Sequence, residues 1–133
     1  MIFERKKYLD ELIAGRGNGL VKIITGVRRC GKSFLLFDIW HNWLLEHGVT
    51  DSHIIEIQLD DFRNRRLRKP DALLDYIDSK VMDDGNPYYI VLDEVQLVEE
   101  FVEVILSLTH MRNVDVYVSG SNSRFLSSDV VTE

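Results

Sequence analysis

Eight residues near the start of the chain combine glycines, basic side chains and a hydroxyl at a spacing suited to phosphate chemistry. The segment is Gly26-Val27-Arg28-Arg29-Cys30-Gly31-Lys32-Ser33, a full match to the pattern GxxxxGK[ST]. In this pattern the glycines let the backbone approach phosphate oxygens, the lysine carries a positive charge to them, and the serine hydroxyl suits Mg²⁺. We expect these residues, with Phe34 directly after them, to bind a nucleoside triphosphate.

A pair of acids, Asp93 and Glu94, directly follows the apolar run at residues 88–92. A buried carboxylate without a partner is costly, so these acids are either solvated or occupied. In the occupied case, Asp93 holds the hydration shell of Mg²⁺ opposite Ser33, and Glu94 polarises the water that attacks the γ-phosphate. The alternative, a solvated cap on the next helix, is less favoured once the phosphate-binding pattern is considered.

The second acid bears on the class of reaction. A hydrolase uses a water-activating glutamate beside the magnesium ligand, whereas a kinase for a small metabolite does not and needs an acceptor pocket, for which the sequence offers no sign. No NKxD tetrapeptide for reading guanine follows the phosphate-binding pattern. We therefore expect ATP rather than GTP, and hydrolysis rather than transfer to a metabolite.

A third polar group follows the last apolar run, where residues 119–123 are rich in serine, glycine and asparagine. If this run lies between the other two strands, Ser121 and Asn122 are placed to contact the γ-phosphate or the attacking water. Asn122 is preferred because an amide both donates and accepts hydrogen bonds. The alternative is a plain turn, which such a composition forms readily.

Apolar runs alternate with helical patterns along the chain, and this alternation predicts parallel strands joined by helical crossovers. The sequence predicts an α/β fold in which each strand ends where the polar groups lie. A further short helical turn is expected at residues 123–130. The predicted helices cover residues 5–14, 32–47, 71–82 and 99–110, and the predicted strands cover 20–25, 53–59, 88–92 and 114–118.

Composition sets limits on these expectations. The chain has 133 residues, a formal net charge of -6 and one cysteine, which favours a single domain in a reducing cytoplasm. The negative charge argues against general binding to nucleic acid or anionic membranes. The basic stretch at residues 63–69, beside Phe62, is either a nucleic-acid contact or a solvated loop, and the charge favours the loop. No run is long and apolar enough to span a membrane.

Three phrases of the sequence, GVRRCGKS, YIVLDEVQ and SGSNSRFLSS, resemble those of a family of AAA-type ATPases. This bacterial and archaeal family is described as ATP-binding proteins that carry a C-terminal domain of unknown function. The resemblance covers nearly the whole chain. It implies a RecA-like P-loop core with helices on both faces of a parallel sheet of order 5-1-4-3-2. It also implies binding of ATP and Mg²⁺ and hydrolysis of the ATP.

The chain departs from the family by stopping early. We therefore interpret residues 1–133 as the N-terminal part of the ATPase domain, with strand order 1-4-3-2 and with the fifth strand, the lid and the C-terminal domain missing. The exposed edge of the first strand is expected to pair with another chain or to be covered by a terminal segment. We expect the isolated chain to hydrolyse ATP slowly. Its nucleotide state would gate the missing domain or a partner protein, or serve as a switch or scaffold with little turnover.

Overall fold

The computed structural model describes residues 2–25 and 34–120, with side chains from residue 9 onward and excepting that of Thr25. Four α-helices lie in this part of the chain: α1 (Ile2–Gly15), α2 (His41–Glu46), α3 (Pro70–Lys80) and α4 (Phe101–Thr109). None of the described helices is both long and apolar enough to cross a membrane. The short 3-10 helices are Asp51–His53, Phe62–Arg68 and Val95–Leu97.

Four parallel strands form one sheet: β1 (Lys22–Thr25), β2 (Ile54–Gln58), β3 (Tyr88–Asp93) and β4 (Val114–Gly120). Their order is β1-β4-β3-β2, so the strand that comes last in sequence lies between the first and the third. This confirms the predicted α/β class and the order 1-4-3-2. Parallel strands must be joined by a connection that returns the chain to the same end of the sheet, and the helices between the strands form these connections.

Helices cover both faces of the sheet, as predicted, and a separate hydrophobic core lies on each face. Strand β3 is buried throughout, and its side chains alternate between the two cores. Ile90 and Leu92 pack with residues of α3 and α4, whereas Tyr89 and Val91 pack with those of α1 and the segment before α2. Burial on both faces explains why this strand appears in the sequence as a continuous apolar run.

The helix after the phosphate-binding pattern differs from the simple α-helix predicted for residues 32–47. Its first described part, Leu35–Trp40, is a π-helix that continues directly into α2. Leu35 and Trp40, five residues apart, are both fully buried, and the wider π-turn accommodates this spacing on one face. Residues 32 and 33 of the predicted helix lie outside the described residues.

Two further boundaries differ from the predictions in ways that matter for the candidate site. Strand β4 extends to Gly120, and strand β3 includes Asp93, so polar residues belong to the hydrogen-bonded ladders themselves. The basic stretch forms most of the 3-10 helix Phe62–Arg68. The helical turn predicted at residues 123–130 lies outside the described residues.

Strand β1 lies at one end of the described sheet. Val21, Lys22 and Ile24 are nevertheless buried, and Ile23 is partly buried, whereas Leu20 just before the strand is exposed. The helices on the two faces therefore shield the side chains of this edge strand. Pairing of its backbone edge with another chain stays a prediction.

Candidate functional site

The carboxyl ends of three neighbouring strands meet at one edge of the sheet. The ladder between β1 and β4 places Thr25 beside Gly120, and the preceding residue of β4, Ser119, contacts Asp93 at the end of β3. The glycine-rich segment begins directly after Thr25. The strand order thus brings the start of that segment and the paired acids to the same edge, where ligands of open parallel sheets bind.

Asp93 is held at this edge by a hydroxyl from the neighbouring strand. The residue is 2% exposed, and the Ser119 hydroxyl donates a hydrogen bond to its Oδ1 atom. The same hydroxyl oxygen accepts a hydrogen bond of 3.3 Å from the backbone N–H of Glu94. Ser119 therefore fixes both the Asp93 carboxylate and the start of the turn that carries Glu94.

Glu94 adopts a left-handed backbone conformation, with φ 56° and ψ 48°. A residue other than glycine in this region costs about 1–3 kcal/mol, and such strain concentrates at functional sites. The residue is 3% exposed, and its Oε1 accepts a hydrogen bond of 2.7 Å from Gln96 Nε2. The tight turn thus carries the second acid in a fixed orientation at the end of β3.

The solvated-cap alternative for the two acids does not agree with this geometry. Glu94 does precede the 3-10 helix Val95–Leu97, but its side chain makes no capping hydrogen bond. Both acids are buried rather than solvated. Of the two explanations for carboxylates at the end of an apolar strand, the structure favours occupation by a ligand or an internal partner.

Many of the sequence-predicted site residues lie outside the described residues. Phe34, the last of the predicted nucleotide contacts, is described; it is partly exposed at the start of the π-helix. Asp93 and Glu94 are also described, both buried at the end of β3, and the roles of all these residues stay predictions. Those outside the description are Gly26, Val27, Arg28, Arg29, Cys30, Gly31, Lys32, Ser33, Ser121 and Asn122.

The donors at this edge fit a magnesium ion shared with phosphate groups. Among the described residues, no group of three or more histidine, cysteine or acidic side chains is arranged to hold a metal ion alone. Mg²⁺ is commonly bound by only one or two carboxylates, together with water and substrate phosphates. A buried carboxylate at the carboxyl end of a parallel strand suits one such ligand position, and Asp93 at the end of β3 is that carboxylate.

Two residues of the site, Ser119 and Gln96, were missed by the sequence analysis. Ser119 is fully buried, and a hydroxyl at the end of an otherwise apolar strand was the available signal for it. Gln96 stands in the phrase YIVLDEVQ, but nothing in its local pattern shows that its amide returns to Glu94. Both contacts depend on backbone geometry that spacing does not specify.

A cavity of about 400 Å³ opens at the opposite edge of the sheet, near the amino ends of the strands. Arg16, Tyr89, Arg112 and Asp115 are among its lining residues. Its buried acid, Asp115, already forms an ion pair of 2.5 Å with Lys22. Because the fold itself compensates this charge, the cavity is a weaker candidate for a catalytic site than the carboxyl edge.

Two relatives match most of this chain. An uncharacterised protein of Haemophilus influenzae is 28% identical over 131 residues, which is 98% of this chain and 32% of that protein. The uncharacterised protein MJ1544 of Methanocaldococcus jannaschii is 27% identical over 116 residues, or 84% of this chain and 23% of that protein. The chain thus spans about a third or less of the length of these relatives.

A solved structure and a family model give the fold and the family. The structure of C. elegans PCH-2 superposes with a TM-score of 0.56 at 19% identity, covering 91% of this chain and 35% of that one. At this identity the likeness shows the fold. The family model described as "AAA domain" matches residues 18–133, which is most of the chain. The chain therefore belongs to the AAA domain family, that is, to the nucleotide-binding domains of the ATPase type.

Proposed function

We propose that this AAA domain binds ATP together with Mg²⁺ and hydrolyses the ATP at the carboxyl edge of the sheet. The observation that carries the proposal is the pair of buried acids, Asp93 and Glu94, at the end of β3 beside β4. Strand β1, whose end leads into the glycine-rich segment, pairs with the other side of β4. The family and the GxxxxGK[ST] pattern support the binding of a nucleotide, and the two acids support its hydrolysis.

The phosphates would be held by the segment Gly26–Ser33. In this proposal the backbone N–H groups and Lys32 would bind the phosphate oxygens, and Ser33 and Asp93 would hold the magnesium ion. Bound Mg²⁺ neutralises charge on the β- and γ-phosphates. Ser119 orients the Asp93 carboxylate through its hydroxyl.

Glu94 is the proposed activator of the attacking water. Its backbone turn and its hydrogen bond from Gln96 hold the carboxylate at the strand end. Asn122, or Ser121 beside it, would report whether a γ-phosphate is present. The nucleotide state would then gate a further domain or a partner protein, including a second copy of the chain.

One observation favours the second candidate, an ATP-dependent switch or scaffold with little turnover. The Glu94 carboxylate is 2.7 Å from the Gln96 amide and almost fully buried. A carboxylate that is already hydrogen-bonded to an amide and shielded from solvent is less accessible to the attacking water than an exposed one. In this candidate, ATP binding rather than hydrolysis produces the output.

Substitution of Glu94 by Gln tests the hydrolysis proposal. We expect phosphate release to fall by about 10²–10⁴-fold, the usual contribution of general acid–base catalysis, with Mg-ATP binding by calorimetry unchanged. Glu100→Gln is the matched control, because Glu100 is also a left-handed glutamate (φ 54°) but is exposed. Unchanged phosphate release in Glu94→Gln would contradict the role of Glu94.

Substitution of Gln96 by Ala separates the two candidates. If the amide keeps the Glu94 carboxylate from contacting the attacking water, hydrolysis should increase in the variant, as expected for a switch with suppressed turnover. If the amide positions a working base, hydrolysis should decrease. In the switch, the nucleotide-dependent output should also be the same in Glu94→Gln as in the unmodified protein.

A further inference from the structure

The basic segment, residues 62–69, has a charge opposite to that of the rest of the chain. It contains five basic residues and no acidic residue, whereas the whole chain carries -6, so the other residues together carry -11. The basic segment therefore produces a local positive potential on a protein that is acidic elsewhere. The argument from net charge against nucleic-acid binding therefore does not apply to this surface by itself.

The fold holds the basic segment in a defined shape. It forms the 3-10 helix Phe62–Arg68, in which Leu67 is the buried residue. Asn64 Nδ2 donates to the Gln58 carbonyl at 2.9 Å, and Arg68 Nε donates to the Leu59 carbonyl at 2.8 Å. These contacts attach the segment to the last residue of β2 and to the residue after it, and the side chains of Phe62, Arg65 and Arg66 are exposed.

Phe62 and Arg65 form a flat, exposed platform. The Arg65 guanidinium lies over the Phe62 ring, 4.2 Å from its centre, and its Nη1 donates to the Phe62 carbonyl at 3.1 Å. Phe62 is nevertheless 67% exposed, so much of its side chain remains in contact with solvent. Nucleic-acid bases stack on exposed aromatic side chains, and arginine adds a cation–π contribution.

The basic side chains of the segment differ in whether they form an ion pair with a carboxylate. Arg63 forms an ion pair with Asp61 at 2.8 Å, and Lys69 with Glu99 at 2.6 Å. Among the described residues, no carboxylate forms an ion pair with Arg65 or Arg66, and both are exposed. Two uncompensated guanidinium groups therefore lie next to the platform, with a geometry that suits phosphate oxygens.

We infer that the basic segment is a binding site for single-stranded nucleic acid, with a base stacked on Phe62 and phosphates bound by Arg65 and Arg66. A duplex keeps its bases stacked on each other and would leave the Phe62 ring unused. An acidic peptide offers carboxylates but no flat face for the platform. The combination of an exposed aromatic ring and adjacent guanidinium groups thus favours a single strand.

The same segment is connected to the proposed ATP site through the backbone. Leu59, whose carbonyl accepts from Arg68, donates its own N–H to the Asp93 carbonyl at 3.1 Å. Binding at the basic segment does not depend on nucleotide hydrolysis, so it goes beyond the proposed function.

Fluorescence anisotropy of a labelled oligothymidylate, about 16 nucleotides long to cover the usual site sizes, tests the inference without any nucleotide present. We expect tighter binding of this strand than of a duplex of equal length or of polyglutamate. Arg65→Gln with Arg66→Gln should reduce the slope of log K against log salt by about 0.7 for each phosphate that the variant no longer binds. Phe62→Ala should weaken binding by at least about 5-fold, and Phe62→Trp should retain it.

Lys80→Gln is the matched control. Lys80 is an exposed lysine whose ammonium lies over the Tyr76 ring at 5.4 Å, and it stands outside the basic segment. We expect it to leave the salt slope and affinity unchanged, with circular dichroism confirming that all variants are folded. Equal affinity for polyglutamate, preference for the duplex, loss of binding in Lys80→Gln, or full binding by Phe62→Ala would each overturn the inference.

Discussion

The two ends of strand β4 both carry buried polar groups, but they satisfy them in different ways. At the amino end, Asp115 accepts hydrogen bonds from Lys22 Nζ at 2.5 Å, from the Tyr117 hydroxyl at 2.6 Å and from the Gly17 N–H at 2.8 Å. At the carboxyl end, Ser119 contacts Asp93, which is followed in sequence by a second buried acid.

The difference shows that buried acids at the two ends of the strand have different roles, one in stability and one in the proposed nucleotide chemistry. The amino end contains an acid with its own cation, so charge is balanced within the fold and the network stabilises the packing of α1 against the sheet. The carboxyl end contains two adjacent acids at the point where the phosphate-binding pattern begins. We expect substitutions at the amino end to change stability and those at the carboxyl end to change nucleotide chemistry.

The largest expected effect is on the amino end. Asp115→Asn leaves Lys22, only 4% exposed, without its counter-charge, and breaking such a buried pair costs about 3–5 kcal/mol in free energy of unfolding. Urea denaturation measures this loss. Asp61→Asn, which removes the carboxylate that pairs with the exposed Arg63, is the control and should change stability far less. Similar losses in both variants would contradict the greater cost expected for breaking the buried pair.

An intermediate effect is expected at the carboxyl end. Ser119→Ala removes the donor to Asp93 and leaves the buried Glu94 N–H without that acceptor, at a cost of about 1–3 kcal/mol. Because Ser119 orients the proposed magnesium ligand, hydrolysis per folded molecule should also fall. The folded fraction of Asp115→Asn should keep its rate. If Ser119→Ala lowered only stability and Asp115→Asn lowered the rate per folded molecule, the distinction between a structural amino end and a catalytic carboxyl end would be wrong.

The smallest expected effect is at Tyr117, whose hydroxyl is one of several donors to Asp115. Tyr117→Phe should lower the free energy of unfolding by about 1 kcal/mol near neutral pH. Burial raises the pKa of Tyr117 far above its ordinary value of 10.0. The neutral hydroxyl is thus favoured in the folded state, and its contribution is lost as pH rises above 10.0. Urea denaturation at increasing pH should show the free energy of unfolding of the variant approaching and then exceeding that of the unmodified protein. A constant difference between the two free energies at all pH values would contradict this.

Much of the fold was predictable from sequence because its signals are local. The run that became β3 is apolar throughout, as expected for a strand buried on both faces, and the periodicity of α4 gave its bounds within two residues. The predicted strand order also agrees with the structure, although it came from family resemblance rather than from periodicity. The π-helix Leu35–Trp40 was not predicted. Its apolar residues also fit the three- and four-residue spacing of an ordinary α-helix, so the sequence pattern does not distinguish the two kinds of helix.

The candidate site was predictable only in part. Asp93 and Glu94 were identified because acids at the end of an apolar run demand an explanation. Ser119 and Gln96 were not, since their roles depend on which strand lies next to β3 and on the turn that reverses the chain at Glu94. The sequence analysis favoured a solvated loop for the basic stretch, whereas the structure shows a fixed helix with an exposed platform.

The sequence by itself determined the class of the fold and the chemistry to look for. Alternating apolar periodicity specifies strands and helices, and the GxxxxGK[ST] pattern and the paired acids specify phosphate and metal chemistry, because both kinds of signal lie within a few adjacent residues. Only the tertiary structure decided that Asp93 meets Ser119, that Lys22 neutralises Asp115, and that Glu94 is held in a left-handed turn. The two pairings join residues far apart in the chain, and they exist only after strand order and register bring β1, β3 and β4 together. The turn at Glu94 is stabilised by its hydrogen bond to Ser119 across the same ladder.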